Sequence, residues 1–200
     1  MLLSQGIAEL GLTIPQHVQD NMLSFIELLQ QWNRVYNLTA ITKTSAMITH
    51  HLLDSLSIAP YLQGQRILDV GSGAGFPGIP LAMAFPEKTF VLLDSRGKKT
   101  RFLQQAVMQC QLTHVTVVQV RMEQFTTETC FDVIIGRAVG SMVEVVEKTK
   151  HLLNQGGYWL MMKGGYPTEE LAHVTTPYVV HPLLVPGLNA RRHVVVITPS

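Results

Sequence analysis

Cysteine, charged residues and long apolar runs are all scarce in this chain of 200 residues. Only Cys110 and Cys130 occur, without Cys-x-x-Cys spacing, which argues against a disulfide framework and for a reducing compartment, the cytoplasm. No run approaches the roughly 20 apolar residues that span a bilayer. The first residues lack a basic stretch and a cleavage-like site, so we expect neither a signal peptide nor a membrane partner.

Strong charge and metal-ligand spacing are missing as well. The formal net charge is only +1, and a protein that binds nucleic acid non-specifically is usually more basic. The eight histidines show no His-x-x-x-His spacing, and His50 and His51 are adjacent, so they face different ways on a helix. We therefore expect no metal. Hydrophobic residues make up 46% of the chain, enough for one substantial core.

The pattern of the chain changes near residue 60. Residues 1–60 are predicted to form an N-terminal helical extension and residues 61–200 one compact domain. Thr13 and Pro15 mark the start of a long helix. Its apolar stripe has spacings of three and four residues and consists of Val18, Met22, Phe25, Ile26, Leu29 and Trp32. A further helix is predicted from Ser45 to about Tyr61, and residues 32–39 are less regular.

Residues 61–200 alternate between short strand-like runs and helical segments. The predicted strands are Arg66–Val70, Thr89–Asp94, Val115–Gln119, Phe131–Ile135, Tyr158–Lys163, Tyr178–Leu184 and His193–Thr198. The predicted helices are Gly78–Phe85, Lys98–Leu112, Met142–Leu153 and Thr168–Val174. This alternation indicates an α/β fold with a parallel sheet. Because no helix separates the last two runs, we expect seven strands with only the last antiparallel.

A glycine-rich turn follows the first predicted strand. Residues 67–80 read Ile-Leu-Asp-Val-Gly-Ser-Gly-Ala-Gly-Phe-Pro-Gly-Ile-Pro. Glycines in a strand-to-helix turn allow a ligand to approach the backbone, and open parallel sheets bind ligands at the carboxyl ends of their strands. We therefore predict a ligand site at this loop.

The class of ligand has several candidates. Gly73-x-Gly75-x-x-Gly78 matches the dinucleotide fingerprint, with Asp94 16 residues later, whereas the phosphate-binding Gly-Lys-Ser/Thr pattern is missing. Asp69 ends the first strand and is expected to point its carboxylate toward the loop. That charge would repel a pyrophosphate and attract an ammonium and a sulfonium, which S-adenosylmethionine carries. An NAD-dependent oxidoreductase and a non-catalytic nucleotide-binding protein remain alternatives.

Two further positions lie at predicted strand ends. Asp94 closes the second strand, where its carboxylate could accept hydrogen bonds from ribose hydroxyls or cap the helix that follows. Met122 and Glu123 follow the third strand, where a backbone N–H and a carboxylate could meet an adenine edge; an exposed ion pair is an equal alternative.

At these residues the chain resembles the RsmG (GidB) family of bacterial ribosomal RNA methyltransferases. The resemblance runs from about Trp32 to Ile197. It rests on Trp32-Asn33, Tyr36-Asn37-Leu38-Thr39, His51-x-x-Asp54-Ser55, the loop through Phe76-Pro77-Gly78-Ile79-Pro80, Leu93-Asp94-Ser95, Lys98-Lys99, Arg101-Phe102-Leu103, Arg121-x-Glu123, Arg137-Ala138, Lys163-Gly164 and Arg192-His193. The Phe-Pro-Gly-Ile-Pro extension and the early Asn-Leu-Thr are its most specific parts.

The resemblance implies a Rossmann-like class I methyltransferase that uses S-adenosylmethionine. It implies methylation at N7 of one guanine of 16S rRNA near the decoding centre. The family's cofactor contacts fall on Gly71, Phe76, the Met122-Glu123 pair and Arg137. The charge, loop and ribose arguments add Asp69, Gly73 and Asp94. Arg137 is expected to position the reactants, or to form a structural salt bridge with Asp132 or a helix. Guanine N7 has no proton to lose, so no general base is expected.

Contact with RNA must come from local charge. Arg96, Lys98, Lys99 and Arg101 place four cations within six residues. A solvated helix face is the usual meaning of such a cluster, but this one follows Asp94. The remaining candidates for RNA contact are Arg34, Lys163, Arg191 and Arg192. The low net charge predicts weak binding of free RNA and a structured small-subunit particle or assembly intermediate as the partner. A methyltransferase with another substrate is the open alternative.

Overall fold

The computed structural model describes residues 3–199, which begin with a set of helices. Helix α1 (Leu3–Glu9) precedes α2 (Gln16–Tyr36), and three consecutive helical pieces follow: α3 (Thr44–Met47), a π-helix (Ile48–Leu53) and α4 (Asp54–Leu56). A 3₁₀ turn covers Ala59–Tyr61. The sequence did not predict α1, and it predicted one helix where the chain forms this interrupted series. The wider π turn is a feature often found at functional sites.

Helix α2 forms where the apolar stripe predicts it. Met22, Phe25, Ile26 and Leu29 are fully buried because residues three and four apart share one face of a helix. The helix ends at Asn37, which takes the left-handed conformation (φ 48°) and donates its backbone N–H to the carbonyl of Asn33. This turn directs the following residues back toward the sheet.

Seven strands form one sheet. Their bounds are β1 (Arg66–Val70), β2 (Thr89–Asp94), β3 (Val115–Gln119), β4 (Phe131–Arg137), β5 (Leu153–Lys163), β6 (Tyr178–Leu183) and β7 (Arg192–Ile197). The strand order is β3-β2-β1-β4-β5-β7-β6. Strand β7 is antiparallel to both of its neighbours, and the other pairings are parallel. The predicted fold, with only the last strand reversed, is confirmed.

Four helices connect the strands: α5 (Gly78–Ala84), α6 (Gly97–Gln109), α7 (Met142–Thr149) and α8 (Thr168–Leu171). Alternate strand residues point to opposite faces of the sheet, so Ile67 packs with α2, α5 and α6, while Leu68 packs with α7. The N-terminal helices share the first of these two core clusters with the sheet. The boundary at residue 60 stays a prediction. Within residues 3–199, no helix is long and apolar enough to cross a membrane.

We expect Phe25→Ala to destabilise the whole fold. The Phe25 ring is fully buried and lies 5.4 Å from the ring of Phe76 and 6.0 Å from that of Phe102. Removing such a ring costs about 3–5 kcal/mol of unfolding free energy. Urea denaturation measures the loss, and Val35→Ala on the exposed face of the same helix should change the free energy by about 0.5 kcal/mol or less. Equal losses in both variants would show that α2 does not pack as described.

Candidate functional site

A cavity of about 510 Å³ opens at the carboxyl ends of β1, β2 and β4. These ends lie side by side because the three strands are parallel neighbours in the sheet. The lining combines the glycine loop, the ends of the strands and part of the N-terminal helical region; it includes Leu38, Thr39, His51, Gly71, Gly73, Phe76, Asp94, Arg96, Lys99, Met122, Glu123, Arg137, Val139 and Gly140. The site predicted at the loop is therefore a real concavity.

The loop glycines serve two different purposes. A Cβ on Gly71 would lie 2.3 Å from Val139, and one on Gly78 would lie 2.5 Å from the Asp69 carboxylate, so both are required by packing within the protein. Gly73 differs, because its nearest neighbour would be the Gly71 carbonyl oxygen at 3.7 Å. Since Gly73 also lines the cavity, this glycine leaves room for a ligand against the backbone.

Asp94 holds the glycine loop and faces the cavity. One carboxylate oxygen accepts the Gly73 N–H at 2.9 Å, and the other accepts the Arg96 N–H at 2.9 Å, just before α6. Asp94 therefore does not cap α6, whose N-cap is Arg96 without a side-chain hydrogen bond, whereas Asp94 does line the cavity. Each carboxylate oxygen has a second lone pair, so Asp94 still has acceptor capacity for a ligand hydroxyl.

Asp69 lies beneath the loop and outside the cavity lining. Its side chain is fully buried, and one oxygen accepts the Gly78 N–H at 3.0 Å. The other oxygen has no hydrogen-bond partner. Burial raises the pKa of Asp69 to about 7, against the lowering effect of its hydrogen bonds. As the sequence predicts, the carboxylate points toward the glycine loop, where it accepts the Gly78 N–H, but Asp69 does not line the cavity.

Arg137 ends β4 and joins the sheet to the helical region. It donates from Nη1 to the Asp54 carboxylate at 3.0 Å and to the His50 carbonyl at 3.1 Å. Its guanidinium also lies 5.3 Å from the centre of the Phe76 ring. The suggested partner Asp132 is wrong, because that carboxylate accepts the backbone N–H groups of residues 65 and 66 instead.

Thr39 and His51 are among the cavity residues that lie outside the set predicted as site residues. The hydroxyl of Thr39 lies 2.9 Å from Nε2 of His51, whose ring stacks on Phe76 at 4.5 Å. Both ring nitrogens of His51 thus bond within the N-terminal region. Burial, followed by the charge of Arg137, lowers the pKa of His51 to about 4, so the imidazole is neutral. Thr39 belongs to the Asn-Leu-Thr motif, which is visible in the sequence. The motif alone, however, does not show that Thr39 faces the glycine-rich loop after β1.

Three of the proposed RNA-binding cations are engaged inside the protein. Lys99 is buried and donates to the Leu38 carbonyl, Lys163 pairs with Glu170 at 2.7 Å, and Arg192 donates to Asp54 at 2.8 Å. For these three residues, the prediction that the side chain is free to contact RNA is therefore corrected. The exposed candidates are Arg34, Arg96, Lys98, Arg101 and Arg191. Lys98 also donates to the Tyr36 carbonyl at 3.2 Å.

Met122 and Glu123 lie where the sequence predicts them, on the cavity lining after β3. They begin a 3₁₀ turn, Met122–Gln124. Glu123 is exposed and lies 4.0 Å from Arg121, at the limit of an ion pair, so its carboxylate remains open to a ligand. Across residues 3–199, no three His, Cys, Asp or Glu side chains are grouped as a metal ion would require.

The GidB family model, described as rRNA small subunit methyltransferase G, matches residues 18–195. The chain belongs to this family. The ribosomal RNA small subunit methyltransferase G of Coxiella burnetii (strain Dugway 5J108-111) is 56% identical over 193 residues, 96% of this chain and 95% of that protein. The protein of the same name from Laribacter hongkongensis (strain HLHK9) is 48% identical over 196 residues, again 96% of this chain and 95% of the relative.

The fold has a counterpart among solved structures. A SAM-dependent methyltransferase from Aquifex aeolicus superposes with a TM-score of 0.59 at 16% identity, covering 78% of this chain and 93% of the other. The predictions of the GidB family, of the class I methyltransferase sheet and of S-adenosylmethionine as cofactor are confirmed. Membership of this family decides against the NAD-dependent oxidoreductase.

The residues of the cavity fit S-adenosylmethionine. Gly73 leaves room against the backbone, and Asp94 offers acceptor capacity. The orphaned oxygen of Asp69, buried directly below the loop, is consistent with a cationic ligand above it, which would favour the charged carboxylate.

We expect the unfolding free energy of the protein without cofactor to depend on pH through the titration of Asp69. A carboxyl group whose pKa is raised to about 7 in the fold stabilises the protein below its unfolded pKa, and that contribution is lost as the pH rises through 7. Between about pH 5 and about pH 8.5, the unfolding free energy of the wild type should therefore fall relative to that of Asp69→Asn. Urea denaturation at both pH values measures the difference.

The control is Asp20→Asn, because Asp20 is an exposed carboxylate of α2. Its unfolding free energy should run parallel to that of the wild type across the same pH range. Parallel curves for wild type and Asp69→Asn would contradict the raised pKa.

Proposed function

We propose that this protein transfers a methyl group from S-adenosylmethionine to N7 of one guanine in 16S rRNA, near the decoding centre. The observation that carries the proposal is the cavity at the carboxyl ends of β1, β2 and β4, formed by the motifs that place the chain in the GidB family. The relatives from Coxiella and Laribacter are named for small-subunit rRNA, which supports the class of substrate. The reaction is expected in the cytoplasm.

The cofactor site follows the order of the strands. Gly71 and Gly73 after β1 would lie against the central part of the cofactor, and Asp94 after β2 would accept hydrogen bonds from its ribose hydroxyls. Met122 and Glu123 after β3 would border the adenine. When bound, the cofactor supplies an electrophilic methyl group on a sulfonium. Phe76 and Arg137, on the opposite side from β3, would border the place where the guanine enters.

The side chains that border the entering guanine suit a target atom that has no proton to lose. Guanine N7 has a free lone pair, so no general base has to accept a proton. His51 is neutral at physiological pH but is already bonded through both ring nitrogens. Arg137 stays charged throughout the physiological range and is fixed by Asp54. These residues therefore align the reactants and exclude water, and alignment alone can lower such a barrier substantially.

The RNA would approach over the junction of α2 and α6, beside the cavity. Arg34 near the end of α2 and Lys98 and Arg101 in α6 are exposed there, and the bond from Lys98 to the Tyr36 carbonyl joins the two helices. A few exposed cations give limited affinity for free RNA, which favours a small-subunit particle or assembly intermediate as the substrate.

The proposal is tested with labelled S-adenosylmethionine and small ribosomal subunits that lack the modification. Digestion of the rRNA to nucleosides should then show 7-methylguanosine. Label in another nucleoside would overturn the N7 assignment, and label in protein or small molecules only would overturn the class of substrate.

We expect Gly73→Val to weaken cofactor binding by about tenfold or more, because the new side chain would project into the cavity. The matched control is Gly11→Val. Gly11 also has a positive φ (71°) and open space around a Cβ, but it lies between α1 and α2, away from the cavity. Calorimetric titration should show wild-type affinity for the control. If both variants bind alike, the cofactor does not lie against Gly73.

Removal of the Arg101 charge should weaken RNA binding at low salt without affecting the cofactor. Arg101→Gln is expected to reduce the slope of log binding constant against log salt by about one, because one phosphate contact fewer releases one counterion fewer. Lys150→Gln is the matched control, because Lys150 is an exposed cation just before β5 and hence at the amino ends of the parallel strands, opposite the cavity. Identical salt slopes for the two variants would show that Arg101 contacts no phosphate and that the cations of α6 only face solvent.

A further inference from the structure

One wall of the cavity comes from the N-terminal region, and neither the cofactor site nor the RNA surface accounts for it. Thr39 and His51 both line the cavity, although they belong to a loop and to the π-helix. The loop is held firmly: the Thr39 N–H donates to the side-chain oxygen of Asn33 at 2.8 Å, and Lys99 donates to the carbonyl of Leu38. The Thr39 hydroxyl is therefore placed with little freedom.

The hydrogen bonds of His51 have a definite direction. Nδ1 lies 3.1 Å from the His50 carbonyl oxygen, which can only accept, so Nδ1 carries the ring proton. A neutral imidazole has one such proton, so Nε2 is an acceptor and the Thr39 hydroxyl donates to it at 2.9 Å. The hydroxyl oxygen in turn accepts the Ile41 N–H at 3.2 Å. Every polar side-chain atom of the pair therefore has a partner.

The same carbonyl connects His51 to Arg137. The His50 oxygen accepts both the Nδ1–H of His51 and the Nη1–H of Arg137, the latter at 3.1 Å. The two side chains also contact the same ring, since the imidazole stacks on Phe76 at 4.5 Å and the guanidinium lies 5.3 Å from its centre. A rotation of the imidazole would therefore disturb Arg137 and Phe76 together.

We propose that Thr39 and His51 are a positioning pair for methyl transfer, in which the Thr39 hydroxyl fixes His51 and His51 in turn fixes Phe76 and Arg137 at the place where the guanine enters. This inference rests on the proposed function. An uncharged ring is the suitable wall here, because an imidazolium would repel both the sulfonium and the purine, which becomes cationic as it accepts the methyl group. The electron pair of N7 forms the new bond to carbon, and the carbon–sulfur pair remains on sulfur.

The test compares three variants of the full chain on small ribosomal subunits. Thr39→Val keeps the shape but removes the hydroxyl and should lower kcat by about tenfold with KM for S-adenosylmethionine nearly unchanged. Thr39→Ser keeps the hydroxyl and should stay near the wild-type kcat. Thr42→Val, an exposed position in the same loop, is the matched control and should equal the wild type. Rates are normalised to the fraction that binds cofactor in calorimetric titration, so a partly unfolded variant does not imitate the effect.

A double-mutant cycle tests whether the two residues act as a unit. His51→Phe keeps a ring against Phe76 but removes both nitrogens, and it should also lower kcat. If the pair acts through one hydrogen bond, Thr39→Val combined with His51→Phe should be no slower than the slower single variant. Wild-type kcat in Thr39→Val, equal losses in the Ser and Val variants, or multiplicative losses in the cycle would each overturn the pair. Wild-type protein that methylates no rRNA would overturn the proposed function itself.

Discussion

The buried carboxylate of Asp54 is the interaction on which the site depends. It accepts hydrogen bonds from Arg137 at the end of β4 and from Arg192 at the start of β7, and it is only 2% exposed. Breaking a buried charge pair on one side leaves an uncompensated charge and costs about 3–5 kcal/mol, so each of the three residues requires the others. The interaction ties the N-terminal helical region to the carboxyl edge of the sheet. Without this attachment the cavity would lack the wall that Thr39 and His51 form.

Two further carboxylates, those of Asp69 and Asp94, hold the glycine loop on the opposite side of the cavity. Asp69 is the next-to-last residue of β1 and Asp94 is the last residue of the neighbouring parallel strand β2; they accept the N–H groups of Gly78 and Gly73, respectively. The glycine loop is thus held near both of its ends by groups that the sheet places side by side. Only Asp94 also lines the cavity, whereas Asp69 is buried beneath it. The two acids look equivalent in the sequence because each lies at the carboxyl end of a strand, but Asp69 is buried more deeply than Asp94.

The sequence predicts most of the sheet and half of the site, for a physical reason. Strands β1, β2 and β3 begin and end at the predicted residues because apolar runs between turn residues are local signals. Gly73 and Asp94 follow from the strand ends, whereas Gly71 and Arg137 are assigned by the resemblance to the family. The bond between Asp54 and Arg192 spans 138 positions and has no local signature. The same limit explains Lys99 and Lys163: a sequence shows a charge but not the buried carbonyl or carboxylate that meets it.

The proposed methyl transfer to N7 of a guanine would move a positive charge over a short distance, from sulfur to the purine. A uniform electrostatic environment would stabilise the starting and final positions of that charge almost equally and would change the barrier little. Catalysis must then come mainly from holding the reactants in line, which requires rigid walls more than strongly charged ones. The cavity agrees with this requirement. Lys99 is bonded to a backbone carbonyl, Arg137 to Asp54, and His51 is neutral and bonded at both nitrogens. Lys99 and Arg137 are thus fixed by the protein itself before any substrate arrives.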